Sequence, residues 1–279
     1  MRRTALPDLV RGVRRPAHAR RRGDCLEQSG AANAVPAALA LGAGFVMTRC
    51  IAVSYNIHRC IGLDGRNDPE RIARVLEELE PDVVGLQEVE SRFGGTLDMH
   101  QLNYLAEETG FQAIAGTTVL RAESHYGNAL LTRHSVLEVR THDVSVPGRE
   151  PRGILDVDLD MHGQRLRVLV THLGLGSRER RRQTRLLLDA VAAHPDEPVV
   201  ILSDFNEWFP WRQPLRWMHQ RLGRTPALNT FPARWPVIAL DRVWVAPRRN
   251  LVSLRVHRSK LARIASDHLP LRAEVELSL

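Results

Sequence analysis

Lysine is almost missing from this 279-residue chain: Lys260 is the only one, so 38 of the 39 basic residues are arginine. A skew that wide reads as high-GC codon usage before any preference for phosphate. Cysteine is scarce too. Cys25, Cys50 and Cys60 form no Cys-x-x-Cys spacing, and any disulfide scheme leaves one over, so reduced thiols in a cytoplasmic protein are expected. No apolar run reaches the ~18 residues of a membrane span, and no segment repeats another. Residues 34–47 follow an arginine-rich stretch that includes the pair Arg21 and Arg22, and so have the superficial form of a signal-peptide core. Against that, Asp24 and Glu27 interrupt the approach, Pro36 lies inside and no Ala-x-Ala site follows. Export is therefore the lesser alternative.

The formal charge of +7 and the pI near 10.2 invite a polyanion partner, so the location of the charge matters. Residues 1–48 carry eight arginines against Asp8, Asp24 and Glu27, which is +5 of the +7 and leaves +2 on the rest. The basicity is thus poor evidence that the remainder binds nucleic acid. At 43% hydrophobic the chain can bury one sizeable core. The expected organisation is a basic appendage over 1–48 and one domain over 49–279. The appendage is either a disordered arm suited to peripheral membrane contact or the product of a misassigned start, with Met47 as the true first residue.

From residue 49 onward, short runs rich in Val, Ile and Leu alternate with turn clusters. Strands are expected at 50–55, 82–87, 111–116, 127–133, 136–143, 153–160, 164–171, 198–203, 240–246, 251–257 and 269–277. Some runs are apolar throughout, such as 199–202. Others alternate, as Leu166, Val168 and Val170 do against Arg165 and Arg167. That mixture suits an α+β, four-layer sandwich of two packed mixed sheets flanked by helices. Helices are expected at 69–80, capped by Asp68 and opened by Pro69, at 99–109 and at 178–193. Arginines 178, 180, 181, 182 and 185 crowd the start of the third, where like charge opposes the helix dipole. A substrate-facing role for them stands beside that of a solvated turn. Residues 206–239 hold Trp208, Trp211, Trp217 and Trp235 with little periodicity, and read as loops that wall a pocket or cover the sandwich end.

Polar clusters punctuate the ends of these runs: Tyr55-Asn56, Gln87-Glu88, Thr171-His172, Ser203-Asp204-Phe205-Asn206, Asp241-Arg242 and Ser266-Asp267-His268-Leu269-Pro270. Glu88, ending a buried strand, is costly unless paired or metal-bound, with a salt bridge as the plainer reading. Asp204 and Asn206 lie two apart, so in extended geometry both point the same way. His172 continues the face of Leu166, Val168 and Val170, and a core histidine is its alternative. Asp241 can fix the tautomer of His268 and raise its pKa. Arg149 and Arg152 in Arg149-Glu150-Pro151-Arg152-Gly153 offer forks for phosphate oxygens, with no choice between them. Asn128 is a weaker phosphate-side candidate.

Together with Val83-Val84-Gly85-Leu86-Gln87-Glu88-Val89 and Tyr126-Gly127-Asn128-Ala129-Leu130-Leu131, these clusters resemble the endonuclease/exonuclease/phosphatase superfamily, the group of type-I deoxyribonuclease, over about residues 49–279. One departure is Ser203, where the family usually has Gly. The resemblance implies a deoxyribonuclease-I-like sandwich and hydrolysis of phosphodiesters by in-line attack of water with Mg²⁺ or Mn²⁺. It implies a metal held by Glu88 and Asn56, with Asp267 adding a contact or orienting the site. It further implies Asp204 on the attacking water, Asn206 on a phosphate oxygen, and His172 with the Asp241-held His268 at the phosphate. The expected substrate is a lipid-type or small phosphodiester, with a DNA or RNA nuclease as the alternative. A phosphomonoesterase or a binding module without turnover stands further back.

Overall fold

A computed structural model of the protein describes residues 48–92, 100–120 and 124–277. The expectations for the appendage, for Cys25 and for Met47 lie outside the described residues. Among the described residues, eleven strands form two sheets. The first is built from β1 (Thr48–Asn56), β2 (Val83–Arg92), β3 (Gln112–Leu120), β4 (Ser124–Thr132), β10 (Leu251–Val256) and β11 (Leu271–Leu277), in the order β10-β11-β1-β2-β4-β3. The second runs β5 (Ser135–Asp143), β6 (Gly153–Met161), β7 (Gln164–His172), β8 (Val199–Asp204) and β9 (Asp241–Ala246) in chain order. Among the described residues, only β1–β2 and β7–β8 pair in parallel. Both sheets are therefore mixed, as expected.

Strand alternation distributes the core into layers. Ala52 of β1, Leu130 of β4, Val168 of β7 and Leu202 of β8 meet between the sheets. Their neighbours Val53, Tyr55 and Leu131 face α1 (Pro69–Leu79) and α2 (Gln101–Thr109), while Leu169 and Ile201 face α3 (Ser177–Ala192). This is why 199–202 is apolar at every position: both faces of β8 are covered. Gly85 lets the sheets approach, since a Cβ there would lie 2.7 Å from Leu202 Cβ. The first helix is capped as its sequence suggests, Asp68 Oδ1 accepting from Arg71 N at 3.1 Å, and Ile72, Val75, Leu76 and Leu79 are buried.

Two expectations need correction. Residues 206–239 are not loop throughout, because α4 (Gln213–Leu222) lies within them and buries Leu215, Met218 and Leu222. Its short apolar stripe is masked by the surrounding tryptophans and prolines. At the start of α3, Arg180 is neither solvated nor in the cleft: buried, it donates to Glu207 at 3.1 Å and to the carbonyls of Gly174 and Leu175. The opposing dipole is eased by Glu179, whose carboxylate accepts from Gly176 N at 3.2 Å. A short helix, α5 (Ala262–Ala265), precedes the last cluster. Cys50 and Cys60 are buried and unpaired, and burial pushes both thiols up. No helix among the described residues is long and apolar enough to cross a membrane.

Candidate active site

The ends of β1, β7 and β8 and the starts of β6, β9 and β11 converge at one end of the sandwich, because the parallel pairs point the same way and their antiparallel partners begin there. A cleft of about 440 Å³ opens at that end, and six expected residues line it: Glu88, Arg152, His172, Asp204, Asn206 and His268. Asn56 stands beneath them, its Nδ2 3.0 Å from both Glu88 Oε1 and Asp204 Oδ2. Asn56 and Asp204, 148 positions apart in the chain, thus meet in one hydrogen bond.

Two local distortions aim these side chains. β2 does not stop at residue 87 but continues to Arg92 through a bulge between Leu86 and Val89, where Glu88 takes φ +57°. β8 ends at Asp204, and Asn206 is left-handed at φ +51° and not extended. Asp204 Oδ1 accepts from Asn206 N at 3.0 Å, and the turn carries the Asn206 amide to His172. Each such non-glycine conformation costs on the order of 1–3 kcal/mol and persists where the surroundings over-determine it.

The two histidines are driven apart in charge. His172 falls to about 3, first because it is buried, with Arg152 and His268 adding to the effect against Asp204. Its Nδ1 lies 3.0 Å from Arg152 Nη1 and its Nε2 2.9 Å from Asn206 Nδ2. A neutral ring accepts at only one nitrogen, so one of these two donors is surplus and free for a ligand oxygen. Burial also opposes charge on His268, but the Asp241 and Asp204 carboxylates overcome it and raise the ring to about 10. His268 Nδ1 donates to Asp241 Oδ2 at 2.8 Å, and the Thr230 hydroxyl donates to the same oxygen. Asp204 Oδ2 sits between the rings, 3.4 Å from His172 Nε2 and 3.8 Å from His268 Nε2.

Not every expected residue enters the cleft. Asn128 is buried and donates to the Gly153 carbonyl at 3.0 Å, bracing the start of β6. Arg149 is exposed outside the lining, whereas Arg152 is buried with its Nε lacking a partner. Asp267 lies beside the cleft, its Oδ1 3.8 Å from His58 Nδ1. The Ser203 hydroxyl is buried and unpartnered, and does not line the cleft. Of the tryptophans, Trp208 lines the cleft, Trp217 packs under Arg185, and Trp211 and Trp235 are exposed. Sequence reasoning passed over Arg59, Glu90, Tyr126 and Phe231, which also line it. Glu90 had a signal, two positions after Glu88 in a strand. Tyr126 directly precedes the Gly-Asn motif, and its phenol is pushed up by burial and by Glu88 and Glu150.

Donors suited to a divalent cation are present. Glu88 is half-buried, accepts from Asn56 and forms no ion pair among the described residues, which leaves its carboxylate uncompensated. Asp204, Asp241 and His268 also offer ligand atoms within 4.8 Å of one another. In that trio, however, Asp241 Oδ2 and His268 Nδ1 are committed to each other, and a protonated ring cannot ligate.

A buried carboxylate between a neutral and a charged imidazole, beside the uncompensated Glu88 in a cleft at the ends of two mixed sheets, agrees with the endonuclease/exonuclease/phosphatase family, whose model matches residues 53–268. The chain belongs to that family of deoxyribonuclease-I-like hydrolases, whose members act on phosphoester bonds. It is 33% identical over 227 residues to YbhP, an uncharacterized protein of Escherichia coli K12, covering 72% of this chain and 86% of that protein. Among solved structures it is similar to a family member from Beutenbergia cavernae, with a TM-score of 0.67, 24% identity and coverage of 82% of this chain and 72% of that one. A mannosyl-6-phosphatase of Bacteroides thetaiotaomicron is similar with a TM-score of 0.61, 17% identity and coverage of 82% and 99%.

Proposed function

We propose that the protein is a phosphodiesterase dependent on Mg²⁺ or Mn²⁺, acting on a lipid-type or small phosphodiester. The observation that carries this reading is the position of Asp204, within 3.4 Å of a neutral His172 and 3.8 Å of a charged His268. Glu88 and Asn56 would hold the cation, with Asp267 alongside, and when bound it would polarise the phosphoryl oxygens. Asp204 orients a water for in-line attack and takes its proton. Whichever of Arg152 and Asn206 is surplus to His172 donates to a non-bridging oxygen. His268, held protonated by Asp241, faces the developing charge and can supply the proton that the leaving oxygen needs.

Substrate class follows from the walls. The cleft joins a polar floor to Leu175, Trp208, Phe231 and Leu240, which suits a diester with an apolar arm. The +2 charge of residues 49–279 gives little support to a surface that tracks many phosphates. The mannosyl-6-phosphatase relative has a phosphomonoesterase name on the same fold, so kinship alone selects no substrate. The deciding experiment is hydrolysis, with Mg²⁺ and with Mn²⁺, of plasmid DNA, single-stranded DNA and RNA, sphingomyelin, phosphatidyl diesters and inositol phosphates. Turnover of a lipid or small diester with a shallow dependence on salt between about 50 and 200 mM is expected. Efficient cleavage of duplex DNA that weakens steeply over that range would replace this reading with the nuclease one.

A further inference from the structure

Large apolar side chains left in water are unevenly placed among the described residues. Leu137, Val139 and Val252 lie on strands β5 and β10, away from the cleft. All the others belong to the cleft end. Leu175 follows β7, Trp208, Phe209 and Trp211 follow β8, and Trp235 with Val237 occupies the turn around the Phe231–Ile238 bridge before β9. Leu63 and Ile264 adjoin each other, Leu63 N donating to the Ile264 carbonyl at 3.0 Å, on the segments next to Asn56 and His268. Trp211 is 68% exposed, and Leu175 and Trp235 are each 73% exposed. Apolar exposure concentrated around a cleft mouth marks an interaction surface.

Charge on three of these segments has one sign, whereas the Leu63 loop exposes Asp64, which is paired with Arg71 at 3.0 Å. Residues 174–182, 207–212 and 231–239 expose Arg178, Arg181, Arg182, Arg212 and Arg234. Their only acids, Glu179 and Glu207, are buried, the first on Gly176 N and the second on Arg180. Every exposed ionised side chain on the three segments, which include the first turns of α3, is therefore positive. Rings and aliphatic tips interleaved with arginines match the boundary between anionic headgroups and acyl chains, where an amphipathic surface gains from both parts.

We propose that these loops are the face by which the protein docks on an anionic lipid bilayer, bringing the cleft mouth to the headgroup phosphodiesters. The proposal rests on the lipid-type reading of the substrate. Nucleic acid could use the arginines and stack on the rings. Half of the exposed set at this end, Leu63, Leu175, Val237 and Ile264, has no ring to stack on a base, which favours the bilayer.

The test uses the full chain and vesicles of phosphatidylcholine with and without phosphatidylglycerol, read by flotation and by the blue shift of tryptophan emission. A second assay follows turnover of bis(p-nitrophenyl) phosphate, a water-soluble diester. Wild type is expected to bind the anionic vesicles. The double variant Trp211→Ala, Trp235→Ala should bind roughly tenfold or more weakly, since each ring withdrawn from water is worth about that factor, and Arg212→Glu with Arg234→Glu should weaken binding in a salt-sensitive way. Turnover of the soluble diester should hold in all of them. Wild type that ignores vesicles, vesicle binding that survives both double variants, or an oligonucleotide bound through these residues in place of vesicles would each overturn the proposal. Docking without hydrolysis of any vesicle lipid would instead sink the substrate reading and leave the surface standing. Hydrolysis of the soluble diester without docking would do the reverse.

Discussion

Replacing Asp241 by asparagine keeps the side chain's shape and removes the charge that faces His268. The pair is buried, with Oδ2 2.8 Å from Nδ1. Burial by itself would hold the ring neutral, so its rise from 6.5 to about 10 comes from the carboxylates of Asp241 and Asp204. An opposite charge this close accounts for about 1–3 units, or roughly 1.4–4 kcal/mol at about 1.4 kcal/mol per unit. A step that needs the imidazolium fails as pH rises through the folded-state value. The alkaline limb of kcat/KM should therefore stand near 10 in the wild type and move down by about 1–3 units in Asp241→Asn. Stability carries the same sign. The folded value is raised, so the pair's contribution is complete below about 6.5 and is lost as pH climbs toward about 10. In the variant, the fall of unfolding free energy across that window should flatten. The assays are a pH profile on bis(p-nitrophenyl) phosphate at saturating metal and urea unfolding at a series of pH values. An alkaline limb and an unfolding slope both unmoved by the substitution would refute the assigned coupling.

Glu88→Gln retains the bulge and removes the uncompensated charge. Activity should drop by orders of magnitude and metal binding, read by calorimetry, should weaken; full activity of the variant in excess chelator would rule out the metal-dependent reading. Arg152→Met removes the guanidinium that faces His172 Nδ1 at 3.0 Å, and a buried hydrogen bond from a charged donor is worth about 1.5–3 kcal/mol. Turnover should fall and Tm should drop, and wild-type kinetics would show that Arg152 is structural only. Gly85→Ala would place a Cβ 2.7 Å from Leu202 Cβ and 2.8 Å from its Cδ1. Overpacking of this kind costs about 1–3 kcal/mol, which lowers Tm by roughly 2–4 °C per kcal/mol in a domain of this size; an unchanged Tm would mean that the sheets can separate freely at that point.

The sequence by itself determined the strands, the first three helices and the clusters at the ends of apolar runs, because each depends on neighbours a few positions away. Alternation at Leu166, Val168 and Val170 identifies a face wherever the partner strand lies, and Asp68-Pro69 starts a helix without help. It missed α4, whose short stripe of Leu215, Met218 and Leu222 gains meaning only against Phe205 and Trp244 in the layer beneath. Extended geometry failed for Asn206, since a left-handed residue beyond β8 is held by tertiary contacts with His172 and the Leu173 carbonyl. Only the tertiary structure decided which arginine enters the cleft, and that Arg180 is spent on Glu207. It also set the opposite protonation of two like residues: His172 is buried against a guanidinium, and His268 against two carboxylates. Periodicity is a local property, but charge and hydrogen bonding act between groups such as Asn56 and Asp204, which meet only when the two sheets close on each other.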